Sequence, residues 1–468
     1  LLRTSSLSCL LAAAIVLAAA QGCGGGPGDT VPSGSGGSTG GSAGGTGGGT
    51  GGVDGGSGNG GTGGATGRGG SGGNGGATGT GGATGTGGAT GTGGATGTGG
   101  ATGTGGATGT GGTGGTGGTA PLTGLHVVGT QIQNDHGQAV HLHGVNRSGT
   151  EYRCVQTNPT VFDGPSTDAS IQVMVTWNVN AVRIPLNEDC WLAINGVSAS
   201  TSGSNYKNAI TSYVQLLENH GIAPIVELHW SAPGTVLATR QQPMPDADHA
   251  IAFWTDVANT FKADGRVIFE PFNEPFPDGN RDSTNAWNCW QSGCSASLLD
   301  ANGTTIMSYT ATGFQAIVNA IRGAGAPNLI LLGGVQFSNT LSQWLSHKPT
   351  DTMNNIAAAW HVYNFNGCVT TSCWNGNPAS VAAMVPLIAT ELGENDCMAG
   401  TFLTSLLPWL DSHTQGYLAW TWDAYGACMA GAASGNPTGS PWSLVSSYTS
   451  GTPNDAFAQA VHDHFLSL

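Results

Sequence analysis

Arg266-Val267-Ile268-Phe269-Glu270-Pro271-Phe272-Asn273-Glu274-Pro275 is the stretch whose reading decides the fold. Val267, Ile268 and Phe269 are apolar and partly β-branched, as a buried strand requires. Pro271 and Pro275 cannot donate to a sheet ladder, so the strand must stop near them. An amide and a carboxylate, Asn273 and Glu274, stand where it stops. In a barrel of parallel strands the C-terminal strand ends are where chemistry is done, and a carboxylate there suits general acid work. Taken alone, an Asn-Glu-Pro is more often a helix cap or a surface loop.

A second stretch changes that balance. Val385-Pro386-Leu387-Ile388-Ala389-Thr390-Glu391-Leu392-Gly393 is again an apolar run that ends on a carboxylate. Two acids on two strand ends of one barrel can face each other across a cleft, which is the arrangement glycosidic bond cleavage needs.

Working outward, apolar strand-like runs recur at 139–145, 179–185, 222–228, 267–272, 328–333, 356–360, 385–390 and 417–422. Helical patterns lie between them. In 206–220, Ile210, Val214 and Leu217 recur at helical spacing and Gly221 is a stop. Stretches 251–261 and 313–322 behave alike. Eight strands with crossovers predict a (β/α)8 TIM barrel over 120–468. Before it, 125–142 reads as a hairpin turning at Asn134-Asp135-His136-Gly137.

The first 119 residues fall outside that pattern. Segment 1–23 reads as a signal peptide, with Arg3 ahead of a short apolar run; Cys23 after small residues suggests a lipoprotein-type anchor. Segment 24–119 is Gly, Thr, Ser and Ala with an uninterrupted Gly-Gly-Ala-Thr-Gly-Thr repeat. No large apolar side chain recurs to build a core, so it reads as a disordered linker with a reach on the order of 50 Å. The expected location is extracellular or anchored at the cell surface. The net charge of -15 argues against nucleic acid as a partner.

Under the barrel reading, the residues at the strand ends are Asn146, Arg183, His229, Asn273 with Glu274, His361 with Tyr363, Glu391 and Trp420. Arg183 interrupts an apolar run, and a buried arginine needs a carboxylate partner. Either histidine alone would be a structural one, and Trp420 alone would be core. His141 and His143 alternate on a strand but lack a ligand set, so no metal or cofactor is expected.

This ordered set resembles glycoside hydrolase family 5, the cellulase family of retaining (β/α)8 enzymes. The matches are Arg183 in Val-Arg-Ile-Pro, His229 in Glu-Leu-His-Trp, Asn273-Glu274-Pro275, His361-Val362-Tyr363, Glu391 in Thr-Glu-Leu-Gly, and Trp420 in Leu-Ala-Trp-Thr-Trp. One departure is Leu392, where the family often has Phe. The resemblance implies Glu274 as acid/base and Glu391 as nucleophile. It also implies charge stabilisation by Arg183 and Tyr363, sugar contacts from Asn273, His229 and Trp420, and His361 orienting Glu274. A nearby Glu391 charge is expected to raise Glu274, and the carboxyl groups to stand about 5–5.5 Å apart.

Two further features bear on the cleft. Trp191, Trp230, Trp287, Trp290, Trp374 and Trp442 fall in strand-end loops and suit stacking on pyranose rings, with ordinary core anchoring expected for about half of them. The long segment 279–302 carries two of these. Apart from Cys9 and Cys23, eight cysteines remain. Cys289 with Cys294, Cys368 with Cys373, Cys154 with Cys190 and Cys397 with Cys428 are the expected bridges. The leading expectation is a monomeric, exported endo-β-1,4-glucanase acting on cellulose or related β-glucan. The rivals are a β-mannanase of the same family and a non-catalytic carbohydrate-binding surface protein.

Overall fold

The computed structural model describes residues 120–426 and 442–468. The expected signal peptide and linker, 1–119, lie outside the described residues. Among the described residues, eight parallel strands close into a barrel. They are β3 (Leu142–Asn146), β4 (Ala181–Asn187), β5 (Ala223–Trp230), β6 (Ile268–Glu270), β9 (Ile330–Gly333), β10 (Ile356–Tyr363), β11 (Leu387–Gly393) and β12 (Gly416–Ala419). Each pairs with its neighbour in chain order, and β12 closes on β3. Helices Ser204–Asn219, Ala250–Phe261 and Phe314–Gly323 occupy three of the crossovers, close to the predicted bounds. The (β/α)8 barrel expected from the apolar runs is therefore present.

Between β6 and β9 the chain inserts helix Thr284–Ser292 and an antiparallel hairpin, β7 (Cys294–Leu299) with β8 (Thr305–Ala311). The N-terminal hairpin differs from expectation. Its paired strands, β1 (His126–Val128) and β2 (Gln131–Gln133), turn one step earlier, at Gly129-Thr130. The Asn134–Gly137 turn exists as a second turn, closed by Gly137 N–H donating to Asn134 O at 3.0 Å. Gly129 adopts a left-handed φ of 62°, which a side chain would disfavour.

Strand alternation explains where the core and the site lie. Ala223 and Ile225 face the barrel axis, whereas Val226 and Leu228 pack outward on the helices. The inward track then continues to Glu227 and His229. In the same way Ile268 leads to Glu270, Ala359 to His361, and Ala181 to Arg183. The lower half of the barrel is thus apolar, and Leu125, Ile132 and Val140 join it there. The upper half is ionisable. Disulfides join Cys154 to Cys190, Cys289 to Cys294 and Cys368 to Cys373, as expected. Cys397 is disulfide-bonded, and Cys428, its expected partner, lies outside the described residues.

Candidate active site

Arg183 is the hub of the barrel's upper layer. Its guanidinium is fully buried and donates to Glu270 Oε2 at 2.5 Å, Glu391 Oε1 at 2.7 Å, Asn273 Oδ1 at 2.7 Å and Asn146 Oδ1 at 3.0 Å. Glu227 Oε1 is a further 3.5 Å neighbour. Asn146 is oriented in turn by donating to Thr390 O at 2.9 Å. So four strand ends converge on one cation.

Glu391 reaches this layer through an irregularity. The β10–β11 register shifts between Trp360 and His361, so that Ala389 pairs with Trp360 but Glu391 with His361. The extra residue lets Thr390 and Glu391 both turn inward. Thr390 Oγ1 then donates to Glu270 at 2.9 Å. The other Glu391 oxygen accepts from the Tyr363 hydroxyl at 2.6 Å. Gly393 keeps this approach open, since a Cβ there would come within 2.7 Å of the Tyr363 ring. Trp442 packs edge-on against that ring at 5.4 Å.

Glu274 lies opposite. His361 Nδ1 stands 3.0 Å from Glu274 Oε1 and 3.5 Å from Glu391 Oε2. One oxygen of each carboxylate and an imidazole nitrogen fall within 4.8 Å of one another. Glu274 is the more open of the two acids, with 15% of its side chain exposed against 4% for Glu391. Asn273, whose Oδ1 is taken by Arg183, presents its amide to Gln241 Oε1 and His229 Nε2. His229 Nδ1 meets Glu227 at 2.5 Å, and its ring stacks on Trp420 at 5.6 Å. Every predicted site residue is therefore brought to one face.

The electrostatics divide the carboxyl groups. Burial pushes Glu274 above the ordinary carboxylate range; the His361 hydrogen bond opposes this more than the Glu391 charge adds to it, and burial decides the direction. The like-charge effect expected from the sequence is real but second to desolvation. Burial alone would raise Glu270, yet Arg183 and His361 hold it below its usual value. Burial raises Glu227 well above the range. Burial would lower His361, but Glu391, Glu270 and Glu274 together push it up to about 9. His229 is pushed down to about 4 by burial. A carboxyl that keeps a proton beside one clamped by cationic and hydroxyl donors can serve as acid and nucleophile.

This coupling gives a pH prediction. His361 lowers Glu274 through its charge and its hydrogen bond. In His361→Gln the charge is lost, so Glu274 should hold its proton to higher pH. The alkaline limb of the kcat/KM profile should move upward, with kcat reduced by roughly tenfold. A limb that stays put or moves down would contradict the coupling.

Sequence reading missed Glu227, Glu270 and Gln241. The first two sit two residues along the inward track from Ile225 and Ile268, so strict alternation carries their signal. Gln241, which also donates to Glu274 O at 2.6 Å, lies in the long loop after β5 and has no local signal. The tryptophan reading needs correction. Trp191, Trp287, Trp290 and Trp374 are buried, with ring N–H groups donating to Asp256, Asp282, Gly333 O and Cys368 O. Segment 279–302 therefore turns its tryptophans into the core, not toward a ligand. Trp230 and Trp442 remain partly open.

A pair of facing carboxyls at the C-terminal end of a (β/α)8 barrel, one clamped by arginine, is the constellation of a glycoside hydrolase. Comparison with known proteins agrees. The model of the cellulase family, glycosyl hydrolase family 5, matches residues 134–426, and the chain belongs to that family. A cellulase of a Thermoanaerobacterium species is 22% identical over 301 residues, covering 61% of this chain and 66% of that protein. An endoglucanase of Thermobifida fusca is 24% identical over 152 residues, 32% of this chain and 28% of its own. The chain thus spans two thirds or less of these relatives. A β-glucanase of Saccharophagus degradans, solved in complex with cellotetraose, superposes with a TM-score of 0.53 at 18% identity, covering 73% of this chain and 93% of that one. That last likeness concerns the fold.

Proposed function

We propose that the chain is a retaining endo-β-1,4-glucanase in which Glu391 is the nucleophile and Glu274 the acid/base. The observation that carries this reading is the closeness of the two carboxyls, with an oxygen of each within 4.8 Å. That closeness supports the retaining arrangement, in which the carboxyls stand about 5–5.5 Å apart, over an inverting one at about 6.5–9.5 Å.

In the first step a Glu391 oxygen attacks the anomeric carbon as the glycosidic C–O bond breaks. Glu274 gives its proton to the departing oxygen. Arg183 and Tyr363 each donate to one Glu391 oxygen and so aim it. In the second step the Glu274 carboxylate takes a proton from water, whose oxygen attacks the same carbon and releases Glu391. Both inversions together retain configuration. Asn273, held by Arg183 and Gln241, would turn the amide hydrogen it now directs at His229 toward the 2-hydroxyl of the bound sugar. Trp420, 3% exposed and backed by the His229 ring, would wall that position with its ring edge.

The choice of glucan rests on the cellulase and endoglucanase names of the relatives and on the cellotetraose bound to the Saccharophagus protein. Action outside the cytoplasm is supported by the disulfides, which persist in oxidising compartments. Two measurements test the proposal. Proton NMR of the first-formed product should show the β-anomer; an α-anomer would overturn the retaining mechanism. Initial rates should be at least about tenfold higher on carboxymethyl cellulose than on mannan, and faster turnover of mannan would overturn the glucan assignment.

A further inference from the structure

A second buried acidic group lies away from the catalytic carboxyls. Glu188 begins the helix Glu188–Leu192, which follows β4. Asp246 and His249 close the loop after β5, just ahead of the helix Ala250–Phe261. Glu188 is fully buried and Asp246 is 1% exposed. Beyond weak contacts with the Ala232 amide and with Asp246, neither oxygen of Glu188 has a well-formed hydrogen bond, and neither has Asp246 Oδ2. His249 Nδ1 stands 3.3 Å from Asp246 Oδ1 and 3.8 Å from Glu188 Oε2, with Ala232 O at 3.2 Å. One donor atom from each of the three side chains falls within 4.8 Å of the others.

Two carboxylates buried side by side repel each other and lose their hydration. The imidazole answers Asp246 Oδ1, which also accepts from the Asp248 and His249 amides. It leaves three buried oxygens with no well-formed hydrogen bond. The groups that can answer them are a proton, a buried water and a metal cation. The spacing admits the cation. Ligand atoms about 2.0–2.1 Å from a tetrahedral centre stand roughly 3.3–3.4 Å from one another; His249 Nδ1 meets that value at 3.3 Å from Asp246 Oδ1 and stands somewhat wider, at 3.8 Å, from Glu188 Oε2.

We infer that Glu188, Asp246 and His249 form a structural site for a divalent cation of zinc type. An imidazole beside two carboxylates suits a borderline cation such as zinc(II) better than calcium or magnesium, which take oxygen ligands. The site would tie the helix after β4 to the loop after β5. That loop carries Gln241, which holds Asn273 and the Glu274 carbonyl. The cation would therefore act on the reaction centre only through the loop, as a positioning element.

The full chain, stripped with chelator and dialysed, is titrated with zinc chloride, calcium chloride and manganese chloride, with bound metal measured by mass spectrometry. One equivalent of zinc is expected in this site. Glu188→Gln and His249→Ala should each weaken it by at least about tenfold, whereas Glu391→Gln should retain it. His249 is part-exposed, so its replacement leaves the core packing in place. Zinc should also raise the thermal midpoint of the parent by roughly 3 °C or more and leave that of Glu188→Gln unchanged. Absence of zinc binding would overturn the inference. Equal zinc binding by parent, Glu188→Gln and His249→Ala would overturn it too, as would calcium binding that His249→Ala does not affect.

Discussion

Glu391→Ala should lower kcat by on the order of 10⁴–10⁶-fold, because the covalent intermediate can no longer form. The fold should survive. Arg183 loses one partner but keeps Glu270, Asn273 and Asn146. Removing a buried acid from a crowded layer can even raise the thermal midpoint. The space left beside Arg183 Nη1 and the Tyr363 hydroxyl suits a small anion. With an aryl β-cellobioside carrying a good leaving group, added azide should restore part of the rate. It would attack from the side Glu391 vacated and give the α-glycosyl azide. Glu274→Ala behaves oppositely under the same proposal. Its nucleophile is intact, so azide would intercept the glycosyl-enzyme and give the β-azide. Product configuration by NMR thus assigns each carboxylate its step. A residual rate above about 1% in Glu391→Ala, or exchanged azide products, would remove the assigned roles.

The fold could be read from sequence because its signal is repeated. Each barrel strand is buried on both faces, so each is an apolar run that a turn or helix must follow. Placing all eight needed no single boundary to be right. Pairing order followed from chain order. The site residues were legible for a related reason: an ionisable group at the end of an apolar run stands out. Glu227 and Glu270 did not stand out, because they lie inside the runs, at positions that only the inward alternation marks. The tryptophans misled for a physical reason as well. The segments after the strands fold into short helices that must bury an apolar face against the barrel, as Trp287 and Trp290 do from the helix Thr284–Ser292. A loop in sequence was thus an outer core layer in space. Gln241 depended on the path of a long loop, which local sequence does not encode.

The hub arginine concentrates most of this layer's electrostatics, and replacing it should show how. Arg183→Met keeps much of the volume and removes the charge. Glu270, Glu391, Asn273 and Asn146 then lose donors at once. Breaking a buried ion pair from one side costs about 3–5 kcal/mol, since the remaining charge stays desolvated. Activity should fall by at least about 10³-fold, as Glu391 loses a donor that aims it. The sign with pH follows from Glu270. Its folded value is depressed by Arg183 below the usual 4.5. It therefore contributes stability that is present above the unfolded value and is lost as pH falls through the folded one. Without Arg183 that contribution is gone, and burial raises Glu270 instead. The gap between parent and variant in urea unfolding should be widest near pH 7, should begin to narrow as pH falls through the raised Glu270 value of the variant, and should close only below the depressed value of the parent. Arg183→Lys should recover part of the stability but little of the activity, because one ammonium cannot reach Glu270, Glu391 and Asn273 together. A gap that stays constant from pH 7 to pH 4 would mean that Arg183 works by filling space and not by its charge.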